Sequence, residues 1–175
     1  MTTAPQTIAL VGLSGGGKST IARLLAEHLG WPLRDTDKLV EQEAGCTIAA
    51  LFAVEGEASF RERETAALAA ALADPPAIVA TGGGIVLREA NRTLLRQALV
   101  IWLDAPTSEL LARLRSHDEE RPLLAGDDPA ARLETLRAAR ALLYHEVARL
   151  TIDTAGLTPA AIVEHILTFA AHAER

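Results

Sequence analysis

The segment Gly12-Leu-Ser-Gly-Gly-Gly17-Lys18-Ser19 stands between the apolar run Ile8-Ala-Leu-Val11 and the helical pattern Ile21-Ala-Arg-Leu-Leu25. A glycine-rich turn that leaves a strand and opens a helix lets backbone wrap a polyphosphate, with the amides of Gly15, Gly16, Gly17, Lys18, Ser19 and Thr20 directed inward. Lys18 brings a point charge to the β- and γ-phosphates, the Ser19 hydroxyl is placed for Mg²⁺, and the helix aims its positive end at the anion. The competing account is a plain glycine turn before an ordinary helix. Lysine is scarce in this chain, two against fifteen arginines, so its presence at the decisive position argues against compositional accident. The motif calls for an α/β chain that binds a nucleoside phosphate.

With 175 residues, 49% of them hydrophobic, the chain can bury a core and is expected to form one domain over residues 1–175. Met1 to Gln6 lacks the basic start and apolar stretch of an export signal, and no apolar run is long enough to cross a bilayer. A soluble, cytoplasmic monomer with no membrane partner is the expectation. A net charge of −6, with arginines scattered among glutamates, argues against a nucleic-acid-binding face. Cys46 stands alone, which excludes an internal disulfide; placed at a helix start, it reads as an inert small residue rather than a nucleophile.

Short apolar runs alternate with helical patterns: strands at Thr7 to Val11, Leu33 to Arg34, Ala77 to Ala80, Leu99 to Leu103 and Leu150 to Ile152. The helices between and after them read as Lys18 to His28, Lys38 to Ala44, Ile48 to Val54, Ser59 to Leu72, Ala90 to Arg96, Thr107 to Arg115, Pro129 to Arg149 and Pro159 to Ala173. Such alternation indicates a parallel sheet, and runs apolar on both sides of the chain are those of strands covered on two faces. Asp104 reads as the cap of the helix at Thr107. Residues 116–128, charged and then turn-rich, have the length of a functional loop and read as a lid.

Ligands of such sheets sit beyond the carboxyl ends of the strands. Asp35-Thr-Asp37 follows the second strand, and its two carboxylates suit a hydrated Mg²⁺ and a proton or hydroxyl partner; the alternative is a helix cap. Gly82-Gly-Gly84 follows the third strand and permits close backbone approach to a ligand, or is a flexible turn. Arg61, Arg121 and Arg140 offer guanidinium groups that match a carboxylate or phosphate, although most arginines lie on solvated faces.

Taken with the phosphate loop, Asp35-Thr-Asp37, Phe60-Arg61-Glu-Arg-Glu64, Thr81-Gly82-Gly83-Gly84, Arg121-Pro-Leu-Leu124 and Arg140-Ala-Leu-Leu-Tyr144 resemble the shikimate kinase family in order and spacing over nearly the whole chain. The resemblance implies a P-loop kinase fold, a five-stranded parallel sheet of order 2-3-1-4-5 flanked by helices, with a mobile lid. It also implies transfer of the ATP γ-phosphoryl group to the 3-hydroxyl of shikimate, a cyclohexene carboxylate, with Mg²⁺ as cofactor. By the same resemblance Asp37 aligns or deprotonates the reacting hydroxyl, Lys18 and Arg121 oppose phosphate charge, and Asp35 faces the Mg²⁺ hydration shell with Ser19. Arg61 and Arg140 clamp the shikimate carboxylate, and the Gly82, Gly83 and Gly84 backbone receives the ring hydroxyls. Glu64 orients Arg61, Phe52 and Phe60 wall the pocket, and Arg113 stacks on adenine.

The segment Asp153-Thr-Ala-Gly-Leu-Thr-Pro159 lacks the arginine that some relatives place against the adenine, which leaves Arg113 as the base's contact. Rival readings are a kinase of another small metabolite such as gluconate, an adenylate kinase, and a non-catalytic nucleotide-binding regulator. The first has no need of both Phe60-Arg61 and the glycine floor, the second requires another nucleotide site, and the third is expected to have lost Asp37, Lys18 or Arg121. His145-Glu146 lacks the second histidine of a zinc helix, and His165 and His172 are expected to face solvent.

Overall fold

The computed structural model describes residues 7–116 and 128–173. Five strands alternate with helices: β1 (Ile8–Val11), α1 (Lys18–Leu29), β2 (Leu33–Asp35), α2 (Thr36–Ala44), α3 (Ile48–Leu72) and β3 (Ile78–Ala80). There follow α4 (Glu89–Leu95), β4 (Leu99–Asp104), α5 (Thr107–Arg115), α6 (Pro129–Val147), β5 (Leu150–Asp153) and α7 (Pro159–Ala173). The strands form one sheet in the order β2-β3-β1-β4-β5, every neighbouring pair parallel, as the resemblance implies.

Strand geometry sends successive side chains to opposite faces, and both faces here are covered. Ile8, Leu10, Ile78, Ile101 and Leu103 pack against Ile21 and Leu25 of α1 and Ile162 and Ile166 of α7. Ala9, Val11, Val79, Val100 and Trp102 face the other way, onto α3, α4, α5 and α6. This double burial is why the strands read as unbroken apolar runs. Parallel pairing brings the carboxyl ends of β1, β2 and β3 to one side of the sheet, with the register Asp35 opposite Ala80 and Ala80 opposite Leu10.

Most boundaries fall within a residue or two of those expected, and the differences have local causes. α2 begins at Thr36 rather than Lys38 because the Asp35 carboxylate accepts from the amides of Asp37 and Lys38, capping the helix two residues earlier. The two helices expected at Ile48 to Val54 and Ser59 to Leu72 are one element interrupted at Gly56, whose φ of 82° and ψ of 175° leave the helical region. Only glycine takes that conformation readily, so the interruption narrows to one residue. α6 ends at Val147, two residues short of the expected Arg149, because Ala148 is already extended toward β5. Asp104 does not cap α5, which starts after Pro106 without a side-chain cap; its carboxylate instead accepts from Arg137 at 2.9 Å. Cys46 lies exposed in the link between α2 and α3, not in a helix.

Candidate active site

The loop leaving β1 and the first turn of α1 make one wall of a cleft. Gly17 caps α1 with a left-handed backbone and no side-chain bond, so the first-turn amides look outward as an anion site requires. Lys18 is buried, and its ammonium donates to the carbonyls of Gly12 at 2.7 Å and Leu13 at 2.8 Å. A cation removed from water needs such acceptors, and here they hold its charge against the loop itself. Ser19 and Thr20 are exposed at the same helix end. Arg113 of α5 ties the outside of this loop to the β5–α7 connection. It donates to the Gly15 carbonyl at 3.3 Å and the Thr154 hydroxyl at 3.1 Å, and pairs with Glu109 at 2.6 Å.

The opposite wall is the turn after β3. Three consecutive glycines there face three different sets of groups. A β-carbon on Gly82 would fall 2.7 Å from Asp37 Oδ1 and 3.1 Å from Glu64 Oε1. On Gly83 it would meet Arg140 Nη1 and the Ser14 amide, each at 3.5 Å, and the Gly12 carbonyl at 3.6 Å. On Gly84 it would strike the Arg61 guanidinium, 2.5 Å from Nη2 and 2.6 Å from Cζ. The missing side chains are what let two carboxylates, two guanidinium groups and the phosphate loop converge on one strip of backbone. Thr36, buried between the two aspartates of its motif, accepts the Gly82 amide at 3.3 Å, and Thr81 donates to the Leu10 carbonyl at 2.8 Å. These bonds dock the α2 start and the glycine turn onto β1.

Arg61, Glu64 and Arg140 are all buried. Arg61 donates to Glu64 at 2.9 Å and to the half-exposed Glu57 at 3.1 Å, so one guanidinium spans two carboxylates, one turn before it and one turn after it on α3. Burial pushes the Glu64 carboxyl above its ordinary pKa, while Arg61, Arg140 and Arg88 pull it down. Glu64 Oε1, buried and without a hydrogen-bond partner, borders the Gly82 face of the cleft. An acceptor of this kind is suited to a ligand hydroxyl. Phe60 lies under the Arg61 guanidinium at 5.0 Å and against Phe52 at 4.8 Å between ring centres. The two phenylalanines thus back the cationic corner with apolar surface.

The structure brings together Asp37, Arg61, Glu64, Arg140, the three glycines and the phosphate loop, with Phe52 and Phe60 behind Arg61. Asp35 serves as the α2 cap through Oδ1, realising the alternative left open by its sequence. Arg121 and nearly all of the lid expected at 116–128 lie outside the described residues. Two contributors had no assigned role. Glu57 is legible in retrospect as the acidic residue one turn before Arg61, and Tyr144 as the aromatic residue one turn after Arg140. Neither spacing reveals that Glu57 shares the buried guanidinium or that Tyr144 reaches the glycine turn. His165 and His172 are exposed, as expected, and so is His145.

The family model for shikimate kinase matches residues 14–171. The shikimate kinase of Symbiobacterium thermophilum is 51% identical over 149 residues, covering 84% of this chain and 86% of the relative. That of Gloeobacter violaceus is 44% identical over 165 residues, covering 94% and 93%. The shikimate kinase of Acinetobacter baumannii, solved in complex with shikimate, has a TM-score of 0.92 at 37% identity and covers 98% of this chain and 95% of its own.

Proposed function

The chain belongs to the shikimate kinase family, and from that membership we propose how its residues carry out the family's reaction, transfer of the ATP γ-phosphoryl group to the 3-hydroxyl of shikimate. Phosphoryl transfer asks a protein chiefly to align two oxygens and to hold charge that develops on oxygens already present. The loop amides from Gly15 to Thr20 cradle the ATP phosphates, and Lys18 exchanges its carbonyl partners for them. Arg121 joins the phosphates, an assignment that rests on the resemblance alone. Arg113, at the loop's outer rim, takes the adenine. On the other wall Arg61 and Arg140 hold the shikimate carboxylate, the glycine turn and Glu64 receive ring hydroxyls, and Asp37 aligns the 3-hydroxyl and accepts its proton. The observation that carries this reading is the glycine strip itself, whose consecutive α-carbons face Asp37 with Glu64, then the phosphate loop with Arg140, then Arg61.

Mg²⁺ fits the donors present. The Ser19 hydroxyl and the Asp35 carboxylate oxygen not engaged in capping are hard ligands, few in number, as suits a cation that keeps most of its water. Among the described residues no group of three or more His, Cys, Asp and Glu offers a competing metal site. Bound together with ATP, the cation offsets charge on the β- and γ-phosphates. No helix among the described residues is long and apolar enough to cross a membrane. We further propose a single catalytic unit acting as a cytoplasmic monomer.

The test is a coupled assay with ATP, Mg²⁺ and a panel of shikimate, shikimate methyl ester, quinate and gluconate. Shikimate should be turned over best and its ester poorly, and Arg61→Lys and Arg140→Lys should each raise KM for shikimate far more than for ATP. An ammonium cannot reproduce paired hydrogen bonds to a planar carboxylate. Equal use of acid and ester by the unaltered enzyme sinks the carboxylate clamp.

A smaller effect of opposite sign is expected at Glu57. Its carboxylate occupies one amino group of Arg61, so it competes with the carboxylate of the acceptor. A partly exposed pair contributes about 0.2–1 kcal/mol, so Glu57→Gln should lower KM for shikimate by up to about five-fold with kcat unchanged. A raised KM would make Glu57 a support for Arg61 rather than its competitor.

A further inference from the structure

Tyr144 is the chain's single tyrosine. It lies on α6 one turn beyond Arg140, fully buried, with its ring stacked on Trp102 of β4 at 5.5 Å between centroids and 30° between planes. A tyrosine stacked in a core needs no functional account for its ring. Its hydroxyl does need one. The phenol donates to the carbonyl of Gly83, the glycine whose α-carbon faces Arg140 Nη1. Within the glycine turn the carbonyl of Gly82 accepts from the Ile85 amide at 3.1 Å and that of Gly84 from the Leu87 amide at 3.1 Å. The carbonyl between them is held from outside the turn, by the phenol.

Gly83 is also the glycine whose open side faces Arg140 Nη1, the Ser14 amide and the Gly12 carbonyl. The pinned peptide is thus the one lying between the acceptor wall and the phosphate loop. Burial pushes the phenol well above its ordinary pKa, so it remains a proton donor throughout the working range of such an enzyme.

We propose that Tyr144 is a positioning residue for phosphoryl transfer: its hydroxyl holds the central peptide of the glycine turn in place beside Arg140 and so sets the separation of acceptor and phosphate loop. The proposal rests on the reading of Arg140 and the glycine turn as the acceptor site. Alignment errors near 1 Å can cost on the order of 10²-fold in rate, and loss of one tether should cost a part of that.

Tyr144→Phe keeps the ring and its stacking on Trp102 and removes only the hydroxyl. We expect kcat/KM for shikimate to fall about ten-fold, with kcat carrying part of the loss and KM for ATP changed less than about two-fold. In an Arg140→Lys background the same change should cost at least about three-fold less, because the guanidinium that the Gly83 peptide is held against is already gone. Wild-type kcat and shikimate KM in Tyr144→Phe, or a loss of equal size in both backgrounds, overturns the proposal whatever happens to the melting temperature. If Arg140→Lys leaves shikimate kinetics untouched, the acceptor-site reading fails and takes this one with it; a normal Tyr144→Phe beside an impaired Arg140→Lys overturns Tyr144 alone. Should the phenylalanine variant not fold, biosynthetic 3-fluorotyrosine labels this one phenol in the intact chain. Its fluorine resonance should shift on adding shikimate without nucleotide, and an unmoved resonance overturns the proposal.

Discussion

Replacing Asp37 by asparagine is expected to lower turnover by about 10²–10⁴-fold, the usual cost of a lost acid–base group, while ATP binds nearly as before. Asp37 stands in the first turn of α2, where its amide is held by Asp35 at 3.0 Å. That backbone bond survives the substitution, so geometry and chemistry separate. Its Oδ1 borders the bare α-carbon of Gly82, beside the unpartnered oxygen of Glu64. Asparagine keeps the shape and one acceptor but neither charge nor basicity. It can still receive a hydroxyl hydrogen bond, yet it cannot take the proton as the oxygen–phosphorus bond forms. Nucleotide titration by calorimetry together with single-turnover transfer decides the matter. Unimpaired transfer removes Asp37 from the chemistry, and a parallel loss of ATP affinity makes it part of the nucleotide site instead.

Gly84→Ala is expected to reduce kcat/KM for shikimate on the order of 10²-fold, from one added methyl group. The new carbon would lie 2.5 Å from Arg61 Nη2 and 2.6 Å from Cζ. Flexible side chains usually swing away from such a clash. Arg61 has little freedom to do so, since Glu64 and Glu57 hold its amino groups and the Phe60 ring lies beneath it. Moving the guanidinium also disturbs a buried ion pair, whose loss of one partner costs about 3–5 kcal/mol. ATP affinity should change little, because the phosphate loop contacts Gly83 rather than Gly84. The control is Gly45→Ala, where no atom lies within 4 Å of the added carbon but φ is 71°. That variant should lose stability through backbone strain and keep its shikimate kinetics. If Gly84→Ala instead melts earlier with normal kinetics, the turn is a structural element and not an acceptor floor.

Much of this architecture was readable from the chain. The phosphate loop is contiguous, and its function resides in backbone and two side chains within eight residues, so no distant contact is needed to recognise it. Strand positions followed from apolar runs because both faces of this sheet are covered. The site residues beyond the loop were legible through their joint order and spacing, not singly: Asp35, Asp37, Arg61 and Arg140 each have an ordinary alternative as a cap or a solvated charge. For Asp35 the cap was real, and it shifted the start of α2. Asp104 went the other way, since the pattern that suggested a cap could not disclose Arg137, which reaches it from α6.

What the sequence by itself determined is therefore the set of local devices: the glycine loop and its lysine, the strand-and-helix alternation, and the short motifs at the strand ends. Tertiary structure alone decided how those devices meet. The glycine turn is a floor only because β3 lies beside β1, and Arg61 is a clamp only because Glu64, Glu57 and Phe60 confine it. Tyr144 reaches Gly83 only because α6 packs over β4. Local patterning reflects forces between residues a few positions apart, which one sequence records directly. Contacts between residues such as Gly83 and Tyr144 arise from the collective burial of two sheet faces, and no single stretch of chain contains that information.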